Sequence, residues 1–304
     1  MDLRDFEYFA VLAEHRHVGR AAESIGLSQP ALSKSLRRLE QTMHAKLVTR
    51  TPKGVELTAE GAALLARVRR LRLTLDDVKR EVADVSGGRV GHLRVGAGPG
   101  MVDDLLAGAC SALLAIAPKV TLTVTVATPA VLVPLLRGGE LDLMVTTVPP
   151  GAYGDLRKEE LLEDRFVICA STGHPLASRS RVEIADLALE RWALSTSNVV
   201  SRQRLQRAFE DRGCAPPDVA LEAGSVPLTL HAIAHSNLLG YVAWRVVQHS
   251  AQRTALTELR VEGMDWHRRV AVYYRQDTYL PPISHRLIEI LKSAAGELAP
   301  ICAR

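Results

Sequence analysis

The sequence has few aromatic residues, few cysteines and no charge excess of either sign large enough to mark the whole chain. Its four cysteines, Cys110, Cys169, Cys214 and Cys302, lie far apart, which excludes a disulfide scaffold and a cysteine zinc site. Free thiols are expected, and a redox switch between two of them stays open as an alternative. We find no apolar run of the roughly 18 to 20 residues that a membrane span needs.

The composition predicts a globular protein that stays in the cytoplasm. Residues 1–16 form an amphipathic, charged segment rather than a signal peptide, and no membrane partner is expected. The chain has 304 residues, of which 47% are hydrophobic and 24% charged, so it can bury a large core in two or three domains.

Residues 18–40 have the pattern of two short helices joined by a tight turn. Gly26 can adopt the left-handed backbone of such a turn, and Ser28 with Pro30 suits the start of the second helix. Apolar residues recur at helical spacing on both helices: Val18, Ala21, Ala22, Ile25, Leu32, Leu36 and Leu39. The stretch therefore predicts a helix-turn-helix, and the alternative is an ordinary helical hairpin with a solvated basic face.

The second of these helices carries a polar and cationic face. Gln29, Ser33 and Arg37 are spaced four apart, flanked by Lys34 and Arg38. From Arg16 to Lys53 there are eight Lys or Arg and two Glu, a local charge of +6, whereas the whole chain has only +4. A local basic excess favours a polyanion, and amide, hydroxyl and guanidinium groups can contact base edges and phosphates, so double-stranded DNA is the predicted partner.

The segments AAESIGLSQPALSKSLRRLE and KLVTRTPKGVELTAEG resemble the winged helix-turn-helix of LysR-type transcriptional regulators. The resemblance implies that Gln29, Pro30 and Ser33 face bases in the major groove. It also implies that the DNA backbone is held by Lys34, Arg37, Arg38, Arg50 and Lys53. His44, Val48 and Glu60 depart from the family pattern of glycine, phenylalanine and alanine.

The segment that follows predicts a long dimerising helix. Thr58 is a candidate N-cap, nothing breaks the helix before residue 85, and a heptad stripe runs along it: Leu64, Val68, Leu71, Leu75, Val78, Val82 and Val85. The expected organisation is a winged helix-turn-helix domain at 1–57, a linker helix and hinge at 58–88, and an effector-binding domain at 89–304. The stripe predicts a homodimer, unless it packs on its own chain; a homotetramer and contact with RNA polymerase are implied by the family resemblance alone.

The second half alternates strand-like and helical runs, a βαβαβ pattern that predicts an α/β fold with parallel strands. We expect two subdomains, about 89–163 plus 267–304, and 164–266, as in the periplasmic-binding-protein-like sensor domain of the family. Ligands bind such sheets at the carboxyl ends of the strands. By family position the cleft would be lined by Gly98, Pro99, Gly100, Thr128, Thr146, Thr147, Ser197, Asn198, Val226 and His231.

Two other sites are weaker alternatives. The loop at residues 96–100 has G-x-G-x-G spacing, which differs from the dinucleotide-binding pattern. His231 and His235 are four apart on one predicted helix, but no third metal ligand accompanies them, so neither a metal nor another cofactor is predicted.

These patterns predict a sequence-specific transcriptional regulator whose promoter binding or bending is modulated by a small-molecule effector. The first alternative is an effector-independent repressor or architectural protein with a vestigial cleft. The second is a metabolic enzyme with a DNA-binding appendage, but no Ser/His/Asp grouping, cofactor lysine or carboxylate pair stands out, so the chain is not expected to be an enzyme.

Overall fold

A computed structural model describes residues 2–52, 54–85, 91–149, 151, 153–196, 199–264, 266–276 and 278–297. The chain divides into two compact units, Met1–Ala83 and Asp84–Arg304. Most of the predicted linker helix is therefore grouped with the DNA-binding residues, rather than forming a separate body.

The first unit contains four helices and a β-hairpin. In chain order these are α1 (Leu3–His15), α2 (Val18–Ser24), α3 (Gln29–Met43), β1 (Val48–Thr51), β2 (Gly54–Leu57) and α4 (Ala59–Val85). Strands β1 and β2 pair antiparallel, Val48 opposite Leu57 and Thr51 opposite Gly54. This hairpin is the wing expected after the helix-turn-helix.

Local sequence signals set the helix boundaries in this unit. The Ser28 hydroxyl accepts a hydrogen bond from the Ala31 N–H at 3.3 Å, and the Thr58 hydroxyl accepts one from the Gly61 N–H at 3.0 Å. Gly26 has φ +65°, the left-handed turn predicted between α2 and α3. The helices enclose a core that includes Phe9, Leu12, Leu32, Leu39 and Leu47, each 1% exposed. Because this core fixes α3 by one side, the opposite side of α3 faces outward.

The heptad stripe on α4 divides into two parts. Val68 is 3% exposed in the core of its own unit, and Leu64 packs against that core, so the prediction that both face a partner chain is wrong. They lie on the turns of α4 that cover the helix-turn-helix. Leu71, Leu75, Val78 and Val82 are 38 to 59% exposed. The side chain of Val85 lies outside the described residues.

The second unit is an α/β fold. Its first part contains β3 (His92–Ala97), α5 (Ala107–Ile116), β4 (Thr121–Val126), α6 (Pro129–Arg137), β5 (Leu143–Thr147) and β6 (Leu156–Ser171). Then follow α7 (Ile184–Leu187), β7 (Arg191–Leu194), α8 (Val200–Glu210), β8 (Asp218–Glu222), α9 (Val226–Ala234), β9 (Leu239–Ala243) and α10 (Trp244–Gln248). The last elements are β10 (Leu256–Leu259), β11 (Trp266–Arg275) and α11 (Pro282–Glu297).

Strands β6 and β11 are shared by the two subdomains of this unit. The described strands follow the order β4-β3-β5-β11-β6-β9-β7-β8, with β10 also paired to β6. Strand β3 is parallel to β4 and β5, and β7 is parallel to β8 and β9, whereas β6 and β11 run antiparallel to each other. The two long strands thus carry the chain between one hydrophobic core around β3 and a second around β7.

One helical segment, Pro99–Ile116, has the length and apolar composition of a membrane span, so the expectation that no segment reaches that length was wrong. The segment begins with a 3₁₀ turn at Pro99–Met101 and a π-helical stretch at Val102–Leu106 before α5. Leu105, Leu106, Ala109 and Leu113 are at most 2% exposed and pack in the core of the first subdomain. The apolar side chains on this side of the segment therefore belong to a soluble-type core, whereas Leu114 and Ile116 are 40% and 55% exposed.

Candidate DNA-reading surface and ligand cleft

The outward side of α3 presents a row of polar and cationic side chains. Gln29, Pro30, Lys34 and Arg37 are exposed and Ser33 is half-buried, because the buried Leu32, Leu36 and Leu39 occupy the other side of the helix. Among the described residues, no side-chain hydrogen bond or ion pair engages Lys34 or Arg37. Their charges are therefore available to a ligand outside the unit.

The wing carries a further exposed cation. Arg50 is exposed on β1, and in the described part of the chain its side chain makes no hydrogen bond or ion pair. Lys53 lies outside the described residues. Several exposed, unengaged cations on one small unit suit an extended polyanion such as the phosphate backbone of a duplex.

Arg38 differs from its neighbours on α3. Its Nε donates to Asp5 Oδ2 at 3.0 Å, its Nη2 contacts Asp5 Oδ1, and the Ser35 hydroxyl donates to the same Oδ1 at 2.6 Å. Asp5 is 2% exposed, and the hydrogen bond from Arg38 holds the pKa of this carboxyl below its usual range. Arg38 therefore ties α3 to α1, and the prediction that it is free to hold the DNA backbone needs this correction.

The second unit has a cleft of about 580 Å³ between its two subdomains. Seven of the ten predicted residues line it: Gly98, Pro99, Gly100, Thr128, Thr146, Thr147 and Val226. They follow or end β3, β4 and β5, or begin α9, because the carboxyl ends of neighbouring parallel strands meet at one edge of a sheet. Ser197 and Asn198 lie outside the described residues.

His231 does not line the cleft, so this prediction was wrong. Helix α9 turns Val226, Thr229, Leu230 and Ile233 inward, and the i, i+3, i+4, i+7 pattern leaves His231 on the solvent side. Its ring centroid lies 4.4 Å from that of His235. In the described part of the chain, no group of three or more His, Cys, Asp or Glu residues is arranged to hold a metal.

Sequence reasoning missed an aromatic wall in the cleft. The Phe166 ring stacks on Trp266 with centroids 4.7 Å apart and lies 5.2 Å from the Tyr241 ring. Phe166 is opposite Trp266 in the β6–β11 pair, and Tyr241 enters through the pairing of β6 with β9. Only the long-range strand register could have revealed this cluster, and a single sequence carries no local signal of that register.

Two arginines also line the cleft and were not predicted. Arg268 donates from Nε and Nη2 to Asp164 Oδ2 at 3.1 and 2.8 Å, with both side chains at most 5% exposed. Arg137 donates from Nε and Nη2 to the two carboxylate oxygens of Asp155, each at 2.7 Å. The other titratable residues of the described lining are Tyr153 and Tyr241, and burial raises the pKa of Tyr153, so it stays neutral.

The described cysteines lie away from this cleft. Burial raises the pKa of Cys169 to about 12 and also raises that of Cys110, while the Sγ of Cys214 lies 3.8 Å from the Arg212 carbonyl oxygen. Because the thiolate is the reactive form, the environments of Cys169 and Cys110 oppose oxidation chemistry. Cys302 is outside the described residues.

The fold and the two surfaces define a DNA-binding regulator with a separate ligand-binding domain. Residues 3–62 match the family model described as bacterial regulatory helix-turn-helix protein, lysR family, and residues 86–296 match the one described as LysR substrate binding domain. The chain belongs to the LysR family, whose members are transcriptional regulators with an effector-binding domain.

Known relatives are similar along nearly the whole chain. The HTH-type transcriptional regulator GbpR of Azospirillum brasilense is 26% identical, over 97% of this chain and 87% of that protein. A full-length OxyR variant from Pseudomonas aeruginosa has a similar structure, with a TM-score of 0.66, 22% identity and coverage of 97% and 94%. Full-length CbnR in complex with its target DNA gives a TM-score of 0.64, 19% identity and coverage of 97% and 100%.

Proposed function

We propose that this chain acts as a homodimer, reads a promoter with the outward face of α3, and alters its DNA complex when a small molecule occupies the cleft. The observation that carries the proposal is the combination, in one chain, of an unengaged cationic face on α3 and an open cleft of about 580 Å³. Such pockets usually measure roughly 300 to 1,000 Å³.

The DNA-reading step depends on α3 and the wing. Gln29, Pro30 and Ser33 lie at the amino end of α3, which is the part of a recognition helix that contacts base edges. Lys34, Arg37 and Arg50 supply phosphate contacts around it. We assign Lys53 the same role because of its place in the sequence, between β1 and β2.

The dimer depends on the exposed part of the stripe on α4. Leu71, Leu75, Val78 and Val82 recur in steps of four and three, so a second copy of the helix can bury all four in one seam. Two copies place two α3 helices on the DNA, and the expected target then has approximate two-fold symmetry.

The cleft gives the regulator its response. A ligand that prefers one arrangement of the two subdomains shifts the population toward that arrangement, and this is the physical requirement for any effect on DNA. An effector-independent repressor with a vestigial cleft is the alternative: it draws support from Pro99 and Gly100, which offer no side-chain hydroxyl at the edge of the sheet.

The remaining assignments follow from the class of protein. We assign no enzymatic activity, since the titratable groups in the described lining are two arginines and two tyrosines, a poor set for general acid–base chemistry near neutral pH. A DNA-reading regulator acts where the chromosome is, which places it in the cytoplasm. Tetramer formation and contact with RNA polymerase are proposed on the family resemblance.

Selection of binding sequences from random duplexes, followed by affinity measurements on the selected site, tests the DNA-reading assignment. Gln29→Ala and Ser33→Ala should each weaken binding to the selected site by about 10- to 100-fold and relax its sequence preference. Arg37→Ala and Arg50→Ala should weaken selected and random duplexes alike. Arg286→Ala, on the exposed surface of α11, is the matched control and should have no effect.

Equal losses on selected and random DNA for all four α3 and wing variants would contradict the division between base and phosphate contacts. Failure to select any sequence at low salt would contradict DNA recognition itself. If the selected complex forms identically with and without every ligand that binds the cleft, the effector-independent alternative replaces the proposal.

A further inference from the structure

The cleft contains one buried guanidinium with an unused donor. The side chain of Arg268 is 5% exposed, and its Nε and Nη2 are both committed to Asp164 Oδ2. The other oxygen of Asp164, Oδ1, accepts from the backbone N–H groups of Arg165 and Arg245. Asp164 is thus saturated, and within the described residues nothing accepts a hydrogen bond from Arg268 Nη1.

The unused Nη1 faces the turn after β3. A Cβ built on Gly100 would lie 3.4 Å from Arg268 Nη1, and Gly98, Gly100 and Arg268 all line the cleft. Glycine at position 100 therefore leaves space beside the guanidinium. This nitrogen is not fully buried, so it is reachable from the cleft, and an anionic ligand oxygen placed in this space can accept a charge-assisted hydrogen bond from it.

The charge of the lining favours a negative ligand group. The charged residues of the described lining are Arg137 and Arg268, and no carboxylate lines the cleft beside them. Arg137 is engaged through both Nε and Nη2 by Asp155 and lies with its guanidinium carbon 5.8 Å from the Tyr153 ring centroid. Both arginines leave Nη1 unengaged among the described residues, but the Arg137 side chain is 48% exposed, whereas that of Arg268 is 5% exposed and its direction is fixed by Asp164.

The walls around this donor are apolar and aromatic. The guanidinium carbon of Arg268 lies 5.1 Å from the centroid of the Phe166 ring, which stacks on Trp266 and adjoins Tyr241. Met101, Pro129 and Val133 line the first subdomain. A small inorganic anion would leave this surface wet, whereas a ring-sized apolar body would cover it.

We propose that the effector is an organic anion with an apolar, ring-sized body, whose carboxylate or sulfonate accepts hydrogen bonds from Arg268 Nη1 beside Gly100. The inference rests on the proposed effector function and narrows its ligand class. Asp164 acts as a positioning residue, because it holds the guanidinium by two donors and leaves the third directed at the ligand.

A matched pair of fluorescent probes tests this on the full-length protein. 1-Anilinonaphthalene-8-sulfonate and N-phenyl-1-naphthylamine share an aromatic body, and only the first carries an anionic group. The wild type should bind the sulfonate at least about tenfold more tightly than the neutral amine, which is the size expected for a charge-assisted hydrogen bond. Arg268→Gln should remove this preference by weakening the sulfonate alone.

Two further variants keep the test decisive. Gly100→Val fills the space beside Nη1 while leaving the Arg268–Asp164 pair in place, and it should also weaken the sulfonate selectively. Arg286→Gln removes a surface charge outside the cleft and should keep the tenfold preference. Near-UV circular dichroism on each variant checks that its tertiary packing is intact, because the sulfonate also binds partly unfolded chains.

The inference is overturned if the wild type binds the two probes equally, prefers the amine or binds neither, or if the preference survives in Arg268→Gln and Gly100→Val. Its failure is distinct from failure of the regulator model. A neutral ligand that binds the cleft and changes the DNA complex would contradict the anionic ligand class but support the effector function. An anion that binds through Arg268 without changing the DNA complex would support the ligand class but contradict the effector function.

Discussion

The two units of this protein each contain an arginine fixed by a buried aspartate, and the two pairs serve different purposes. Asp5 and Asp164 are both 2% exposed, but the Arg38 side chain is 54% exposed on a convex helical surface, whereas the Arg268 side chain is 5% exposed inside a cleft. The first pair joins two helices of a small domain. The second pair aims a free donor into an apolar pocket.

The surroundings of each pair decide what it can recognise. Beside Arg38, the unengaged side chains of Lys34 and Arg37 are exposed on the same helix, so they can contact more than one phosphate of a polyanion. Around Arg268 the walls are aromatic, so a single anionic group with an apolar body is matched instead. An Arg–Asp pair therefore does not by itself indicate which ligand a surface binds. The unengaged groups around the pair determine the class of ligand.

The largest expected effect comes from separating the two copies of the first unit. Leu75→Glu with Val78→Glu places carboxylates in the proposed seam, where they would be buried unpaired, and should give monomers in sedimentation velocity. Affinity for a two-half-site duplex should fall by about 100-fold or more, because the second half-site contact is lost. Ala63→Glu, on the exposed side of α4, is the control; a dimer that survives the double variant would contradict the seam.

An intermediate effect is expected when the structural pair is broken. Asp5→Asn should lower the free energy of unfolding by about 1 to 3 kcal/mol, because Arg38 loses its charged partner near the surface. The Asp5 pKa is lower in the folded state, so the stabilisation is complete above the unfolded pKa of about 3.9 and is lost as the pH falls through the folded value.

Denaturant unfolding of wild type and Asp5→Asn between pH 3 and 7 measures that difference. The difference in free energy of unfolding between the two proteins should be constant at neutral pH and should become smaller in acid. A difference that grows in acid, or no difference at any pH, would show that the Arg38–Asp5 pair does not hold α1 and α3 together. The Asp5→Asn variant should retain the probe preference of the cleft, which sharpens the contrast between the two pairs.

The smallest expected effect concerns the end of α3. His44 has φ 50° in the left-handed region, which disfavours residues with a Cβ, and glycine is the usual residue there. His44→Gly should raise the stability of the first unit by up to about 1 kcal/mol and leave sequence preference unchanged. Ala45→Gly, where φ is negative, should give no gain, and a loss of stability in His44→Gly would contradict the strain.

The first unit was far more predictable from the sequence than the cleft. Gly26, Ser28 and Thr58 act through residues within a few positions, so turn and cap chemistry identified the helix boundaries directly. The pairing of Arg38 with Asp5 was missed because it joins residues 33 positions apart. The exposed side of α3 was visible in the spacing of Leu32, Leu36 and Leu39.

The cleft depended on contacts that no local pattern reports. The alternation of strands and helices predicted the sheet edge, and the family resemblance placed Gly98, Thr128 and Thr146 there. The aromatic wall and Arg268 line the same cleft because β6 pairs with β9 and β11, and a single sequence does not report that pairing. His231 was misplaced because family position did not resolve which side of α9 turns inward.

The most direct test of the account compares Arg37→Gln with Arg38→Gln, two neighbours of equal charge on one helix. The affinity of each variant for the selected duplex should be measured by fluorescence anisotropy across a salt series, together with its thermal midpoint. We predict that Arg37→Gln makes the plot of log K against log salt less steep, reducing the magnitude of its slope by about 1, with little change in the thermal midpoint. Arg38→Gln should keep the slope and lower the midpoint; the reverse pattern, or equal slopes for both, would contradict the account.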